Sequence, residues 1–368
     1  MASVTSDLAP PSADLSPEQG GGSVGRRVVD QLLKTQELVI AIIGIALVIY
    51  FSLASSSFFT HGNAVTLSQY IAPIMFLAVA AVPVLLLGEI DLSVGEVYVL
   101  TPFIVHYTAD SGLGWVTGLI IALVVSGLIG LLNGLITVKL RVPSFITTLG
   151  TVFVLEGIIL ITSNGSQINT SGSGTLASVL GGQEWSEIIW ALGVVVVLHM
   201  LLRHTTFGLH TVAVGGNQLA AREAGVRTDR VKIWCFVICS FLGGLMGLLD
   251  SYHIGSLDPS TNGLNLMFYG VAAAVIGGTA LTGGRGTIIG AALGGIVLGI
   301  LQDGFNVIGI SAFTYDLILG LAILAAMVLN VQLERLRVGR SGRSGERGSL
   351  ARVIVRAGGI TDRGEARP

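Results

Sequence analysis

The Lys and Arg residues fall in only some of the gaps between apolar stretches, and no other sequence feature constrains the chain as strongly. Ten apolar stretches lie near residues 37–54, 65–87, 93–109, 115–138, 143–162, 187–202, 232–250, 264–282, 286–303 and 312–331. Arg26, Arg27 and Lys34 precede the first, and Lys139 and Arg141 separate the fourth from the fifth. Arg203, Arg222, Arg227, Arg230 and Lys232 lie between the sixth and seventh, Arg285 lies between the eighth and ninth, and the remaining Arg follow the tenth. The intervening gaps, including the long polar segment 163–186, hold no basic residue. Basic residues collect in the cytoplasmic loops of membrane proteins. The pattern therefore predicts an all-α polytopic membrane protein of about ten transmembrane helices with both termini cytoplasmic. Composition agrees: 52% of residues are hydrophobic and only 11% charged, against about a quarter charged in soluble domains. That excludes a soluble globular enzyme.

Residues 1–34 read as a cytoplasmic N-terminal tail, disordered over its Ser-, Pro-, Gly- and Asp-rich part. Residues 35–332 read as the transmembrane domain, and 333–368 as a basic cytoplasmic tail. Cys235 and Cys239 lie one turn apart in an apolar stretch and are expected to be buried thiols. The six His are scattered without ligand spacing, so no metal site is expected, nor any cofactor or catalytic residue.

Three local features carry chemistry. In Gly88-Glu89-Ile90-Asp91-Leu92-Ser93-Val94-Gly95-Glu96, two carboxylates directly follow an apolar span, where they need partners or solvent. Ser93 and Glu96 have capping-box spacing, which predicts that the third helix starts at Ser93. Asp91 is expected to satisfy free backbone N–H groups, as a structural helix entry or with a direct role in transport. Second, small residues recur every fourth position at Ser126, Gly130 and Gly134 and at Gly286, Gly290 and Gly294, a spacing that lets helices approach closely in lipid. Five glycines in 277–286 predict a tight cytoplasmic turn. No Gly-Lys-Ser/Thr follows them, so a phosphate-binding loop is absent and any ATP hydrolysis must come from another polypeptide. Third, loop 203–232 holds one short helix, with Asn217 as its cap, Gln218 to Ala224 as its body and Gly225 as its stop. Two turns are unstable alone, so this helix is expected to dock on a partner. Glu156, Asp250, Asp303 and Asp316 are further ionisable residues in apolar spans, expected to face a cavity or a partner.

These residues resemble the permease subunits of bacterial ATP-binding-cassette sugar importers of the ribose/xylose/galactoside class. Gly88 to Gly95 is similar to the family's Gly-Gly-Ile-Asp-Leu-Ser-Val-Gly. Asn133-Gly134 and Val142-Pro143-Ser144-Phe145-Ile146-Thr147-Thr148-Leu149-Gly150 are similar to its Asn-Gly and Val-Pro-Ser-Phe-Ile-Val-Thr-Leu-Gly. Val214-Gly215-Gly216-Asn217 with Ala220-Ala221-Arg222 and Ala224-Gly225-Val226 resembles its cytoplasmic coupling loop; Asp258-Pro259 and Val275-Ile276-Gly277-Gly278-Thr279 complete the series. One stretch departs: relatives carry Gly-x-Gly-x-Glu-Leu-Asp-x-Ile-Ala-Ala, whereas Asn262 to Ala273 lacks the acidic pair.

The resemblance covers about residues 35–332. It implies a monosaccharide importer subunit in the bacterial inner membrane, a pentose being the expected cargo. Expected partners are separate ATP-binding-cassette ATPase subunits, a periplasmic or lipid-anchored sugar-binding protein and a second permease copy in a homodimer, all in the lipid bilayer and without nucleic acid. It assigns Gly215, Gly216, Asn217, Ala221, Arg222 and Gly225 to ATPase coupling. Asp91, Asn133 and Phe145 become candidates for the translocation path. An ion-coupled secondary transporter using Glu156 or Asp303, and a branched-chain amino acid or nucleoside permease, remain as alternatives at this stage.

Overall fold

The structure is a computed structural model and describes residues 36–261 and 263–311, with a few positions between 314 and 324. The expected tails, Asp316 and most of the tenth span lie outside the described residues.

The helices are α1 (Gln36–Ala54), α2 (His61–Leu86), α3 (Val94–Thr108), α4 (Trp115–Lys139), α5 (Ser144–Ser163) and α6 (Ser186–His204). They continue as α7 (Thr206–Gly216), α8 (Gln218–Glu223), α9 (Thr228–Ile254), α10 (Gly263–Ile276) and α11 (Ile288–Val307). Seven of them, α1, α2, α4, α5, α6, α9 and α11, are long and apolar enough to cross a membrane. Helix α2 is the centre. It is buried along most of its length and packs against α6, α9, α10 and α11. At the periphery, α1, α5 and α6 expose Leu53, Phe153, Ile161 and Val197. Apolar side chains facing outward belong in lipid, where they cost nothing.

The span predicted at 93–109 is observed at Val94–Thr108, and the one predicted at 264–282 ends early, at Ile276. Helices α3 and α10 have 15 and 14 residues, about 22 and 21 Å, against a hydrocarbon core about 30 Å thick. Both begin inside the bundle. Val94 packs on Gly243, where a Cβ would sit 2.5 Å from the valine Cγ1. Gly243 lies about 22 Å along α9 from its start. Gly95 and Gly263 meet backbone to backbone, and a Cβ on either would lie 2.2 Å from the other's carbonyl oxygen. Two short helices thus start face to face inside the bundle.

Segment 163–186 is more than a loop. Ile168–Asn169 (β1) pairs antiparallel with Ser256–Leu257 (β2), and Thr170 Oγ1 and Tyr252 Oη donate to Ser251 O and Ser171 O at 2.7 and 3.0 Å. The segment is thereby fastened to the C-terminal end of α9. Gly181, which leaves 2.1 Å between its would-be Cβ and Leu249 O, lets the two backbones touch. The small-residue stripes behave as expected: Gly130 lies against Phe236, and Gly294 against Ala273. Cys235 and Cys239 are free and buried.

Candidate functional site

Two places combine polar groups with irregular backbone. The first is the non-helical run between α2 and α3. Irregular backbone at membrane depth is tolerated only where protein or a water-filled cavity satisfies it. Here the protein does: Ile90 N–H donates to Ser144 Oγ (3.2 Å), and Ser93 N–H donates to Asp91 Oδ1 (3.0 Å). Asp91 is 3% exposed. It also accepts from Ser93 Oγ at 2.6 Å and from Ser240 Oγ at 3.4 Å. The chain of bonds continues outward from Ser93 Oγ, which accepts Asn133 Nδ2 at 2.8 Å; Asn133 Oδ1 in turn accepts Thr151 Oγ1 at 2.7 Å. One buried polar network therefore ties the entry of α3 to α4, α5 and α9.

The capping box expected at Ser93 and Glu96 does not form. Ser93 has helical torsions and makes no side-chain cap, because its hydroxyl is committed to Asp91 and Asn133. Glu96 is hydrogen-bonded instead by the backbone N–H of Leu264, one of the unpaired donors at the start of α10. The acid caps the facing helix rather than its own.

The second place gathers the ends of several helices. Gly284 N–H donates to Leu86 O at 2.7 Å. At Gly215 a Cβ would fall 1.8 Å from Leu86 O and 2.9 Å from Gly284 N. The end of α2, the end of α7 and the glycine-rich turn 277–286 thus meet through backbone alone. Beside this junction Lys232 Nζ of α9 binds Glu89 Oε1 at 2.6 Å, both side chains mostly buried. Lys139 pairs with Asp229 at 3.3 Å across the ends of α4 and α9.

Helix α8 projects from this junction. Asn217 Oδ1 accepts Ala220 N–H at 3.0 Å, as its residue type predicts. Gly225 at φ +86° ends the helix, with its N–H and that of Val226 donating to Arg222 O and Ala221 O. Ala221 is buried, while Leu219, Arg222 and Glu223 are exposed. The expectation of one short helix in 203–232 is corrected: α7 precedes it, capped by Thr205 Oγ1, which accepts Gly208 N–H at 3.3 Å. Thr205 is a cap signal readable in the sequence; the glycines at 208, 215 and 216 mask it.

Of the predicted path residues, the structure brings Asp91 and Asn133 into one network and leaves Phe145 apart from it, half-exposed at the start of α5. The predicted Gly215, Gly216, Asn217, Ala221, Arg222 and Gly225 are continuous across the α7–α8 junction. Sequence reasoning missed the Glu89–Lys232 pair, the Glu96–Leu264 cap and a cavity between Tyr98 and Asp250. Among the described residues no group of His, Cys, Asp and Glu could hold a metal ion.

A lipid-facing helical bundle, with two short helices meeting inside it over buried polar groups, has the construction of a membrane transport permease. The chain belongs to the permease family described as "Branched-chain amino acid transport system / permease component", whose profile matches residues 63–327. It is 36% identical to the xylose/arabinose import permease protein XylH of Sulfolobus acidocaldarius over 309 residues, covering 81% of this chain and 86% of XylH. It is 31% identical to the ribose import permease protein RbsC of Escherichia coli K12, over 83% of this chain and 97% of RbsC. The L-arabinose ABC transporter permease protein AraH of Azospirillum brasilense is similarly related, at 31% identity over 87% and 93% of the two chains. No solved structure matches the chain.

Proposed function

We propose that this chain forms the translocation path of an ATP-driven importer for a monosaccharide, a pentose such as ribose or xylose, handed over by an external binding protein. The relatives above are import permeases for these sugars, which favours sugar over the amino acids of the family description. The same kinship disfavours an ion-coupled carrier. In this reading the described helices and the stretch 312–331 make ten spans with both termini inside. Two copies pair, and two ATPase subunits dock on the α7–α8 side.

The α8 junction carries the mechanism. A two-turn helix cannot hold itself up; it is held by Asn217 and Ala221 and exposes Leu219 and Arg222 to a partner. Movement of α8 reaches α2 through the rigid Gly215–Leu86 backbone contact. Through residues 87–93 and the Glu89–Lys232 pair it reaches the Asp91–Asn133 network and the start of α3. ATP-driven closure of the ATPases would thus reposition the two short helices inside the bundle. Asp91 and Asn133 serve as the buttress of the path, and Phe145 contributes from the start of α5.

The experiment is uptake of labelled ribose and xylose in cells, with ATP and the proton gradient altered separately. Uptake is expected to stop on ATP depletion and to survive collapse of the proton gradient at constant ATP. The opposite result would replace this reading with ion coupling through the buried carboxyls.

A further inference from the structure

The cavity between α3, the end of α9 and the segment descending from β2 to α10 belongs to neither place described above. It measures about 130 Å³ and is lined by Tyr98, Phe103, Asp250, Ser251, Asp258 and Thr261, among others. Its lining includes one face of α3 above the Gly95–Gly263 contact, so the meeting point of the two short helices lies at its base. It opens towards the end of the bundle carrying segment 163–186, which the charge pattern places outside. Phe103, Val99 and Leu257 supply apolar wall.

Its polar groups are unbalanced. Tyr98 Oη donates to Asp250 Oδ2, and Ser251 Oγ donates to Leu248 O at 2.8 Å, so both hydroxyls are committed. Asp258 Oδ1 accepts Ser260 N–H at 2.8 Å, and its second oxygen receives no hydrogen bond among the described residues. Behind Asp250 lies Glu187, 3% exposed, whose carboxyl is hydrogen-bonded to that of Asp250. Among the described residues no Lys, Arg or His lines the cavity. The site sets carboxyl acceptors and the hydroxyls of Ser256 and Thr261 against an apolar wall.

We infer that this cavity is a monosaccharide subsite within each protomer, in which Asp250, set by Tyr98, and Asp258 accept hydroxyl protons of the sugar while Phe103 covers its apolar face. A sugar is neutral and brings several hydroxyl donors. A branched-chain amino acid could set its ammonium against the two carboxyls, but its carboxylate would find no Lys, Arg or His among the described lining residues. The inference rests on the sugar-permease reading and deepens it: the first contact of the sugar with the permease is made inside one chain, at the outer end, above the point where the two short helices meet.

The test uses the complete importer, with ATPase and binding protein, in vesicles supplied with labelled D-ribose, D-xylose, L-arabinose or L-leucine. Two variants are compared: Asp250→Asn, and Thr261→Trp, which fills the cavity from its exposed rim. In each variant that assembles, uptake of the transported sugar is expected to fall about tenfold or more, the effect of losing a hydrogen bond to a charged group. ATP hydrolysis stimulated by the binding protein is expected to persist. If either assembled variant takes up sugar at the unaltered rate, the subsite is wrong while the permease reading stands. If stimulated hydrolysis is lost along with uptake in both, the residues are structural and the subsite is likewise wrong. If the unaltered importer carries leucine and none of the sugars, both readings fall together.

Discussion

Gly215 and Gly225 flank the same short helix and are glycine for different reasons. At Gly215 there is no room: a methyl group would overlap Leu86 O. At Gly225 there is open space, but φ is +86°, which costs other residues about 1–2 kcal/mol and β-branched ones more. Gly215→Ala is therefore expected to destabilise the folded permease by about 1–3 kcal/mol, read as a lower Tm in detergent. Gly225→Val is expected to leave the bundle folded and lower the yield of ATPase bound to it; unchanged uptake and complex yield would contradict the role of α8. Asn133→Ala removes one acceptor and one donor from a buried chain of bonds and is expected to cost about 1–3 kcal/mol. An unaltered melting temperature would show that the network bears no strain of assembly. The sequence marks Asp91 and Asn133 as polar residues in apolar surroundings. It does not reveal that they share Ser93, because that contact joins residues 40 apart.

At the scale of elements, α8 was legible because its information is local: Asn217, Gly225 and the run between them suffice. For α3 and α10 only part was: the start of α3 is legible at Ser93, but hydropathy runs on past the end of α10 at Ile276, and only the Gly95–Gly263 contact sets the depth at which both begin. Glu96 misled for the same reason: its partner, Leu264, lies on the opposing element rather than within its own turn. The Glu89–Lys232 pair joins the segment before α3 to α9, and a mostly buried ion pair is costlier to halve than to remove. Glu89→Gln and Lys232→Met are each expected to destabilise the permease more than the double substitution does. Additive losses in thermal unfolding would mean that the two charges do not act as a pair.

At the scale of the whole molecule, the distribution of Lys and Arg carries most of the architecture. It divides the chain into two sets of loops before any helix is described, and the structure fits that division locally: Lys139 meets Asp229, and the ends of α2 and α7 meet the turn before Arg285. Single cysteines in a background lacking Cys235 and Cys239 give the corresponding prediction. Ser166→Cys is expected to react with an impermeant thiol reagent in intact cells, and Glu223→Cys only after permeabilisation. Identical labelling of both would contradict a membrane-crossing chain between them. The surface at which a second copy would pair is not legible in the sequence or in a single chain, since a lipid-facing and a subunit-facing surface are both apolar.

The central claim is that this chain transports nothing without an ATPase supplied by another polypeptide. Purification of the tagged permease from its native cells in mild detergent, with mass spectrometry of what accompanies it, tests that most directly. The account predicts an ATP-binding-cassette subunit in equal number to the permease, lost on Gly225→Val. A permease that purifies alone under nucleotide-trapping conditions, yet still takes up sugar in vesicles without ATP, would contradict it.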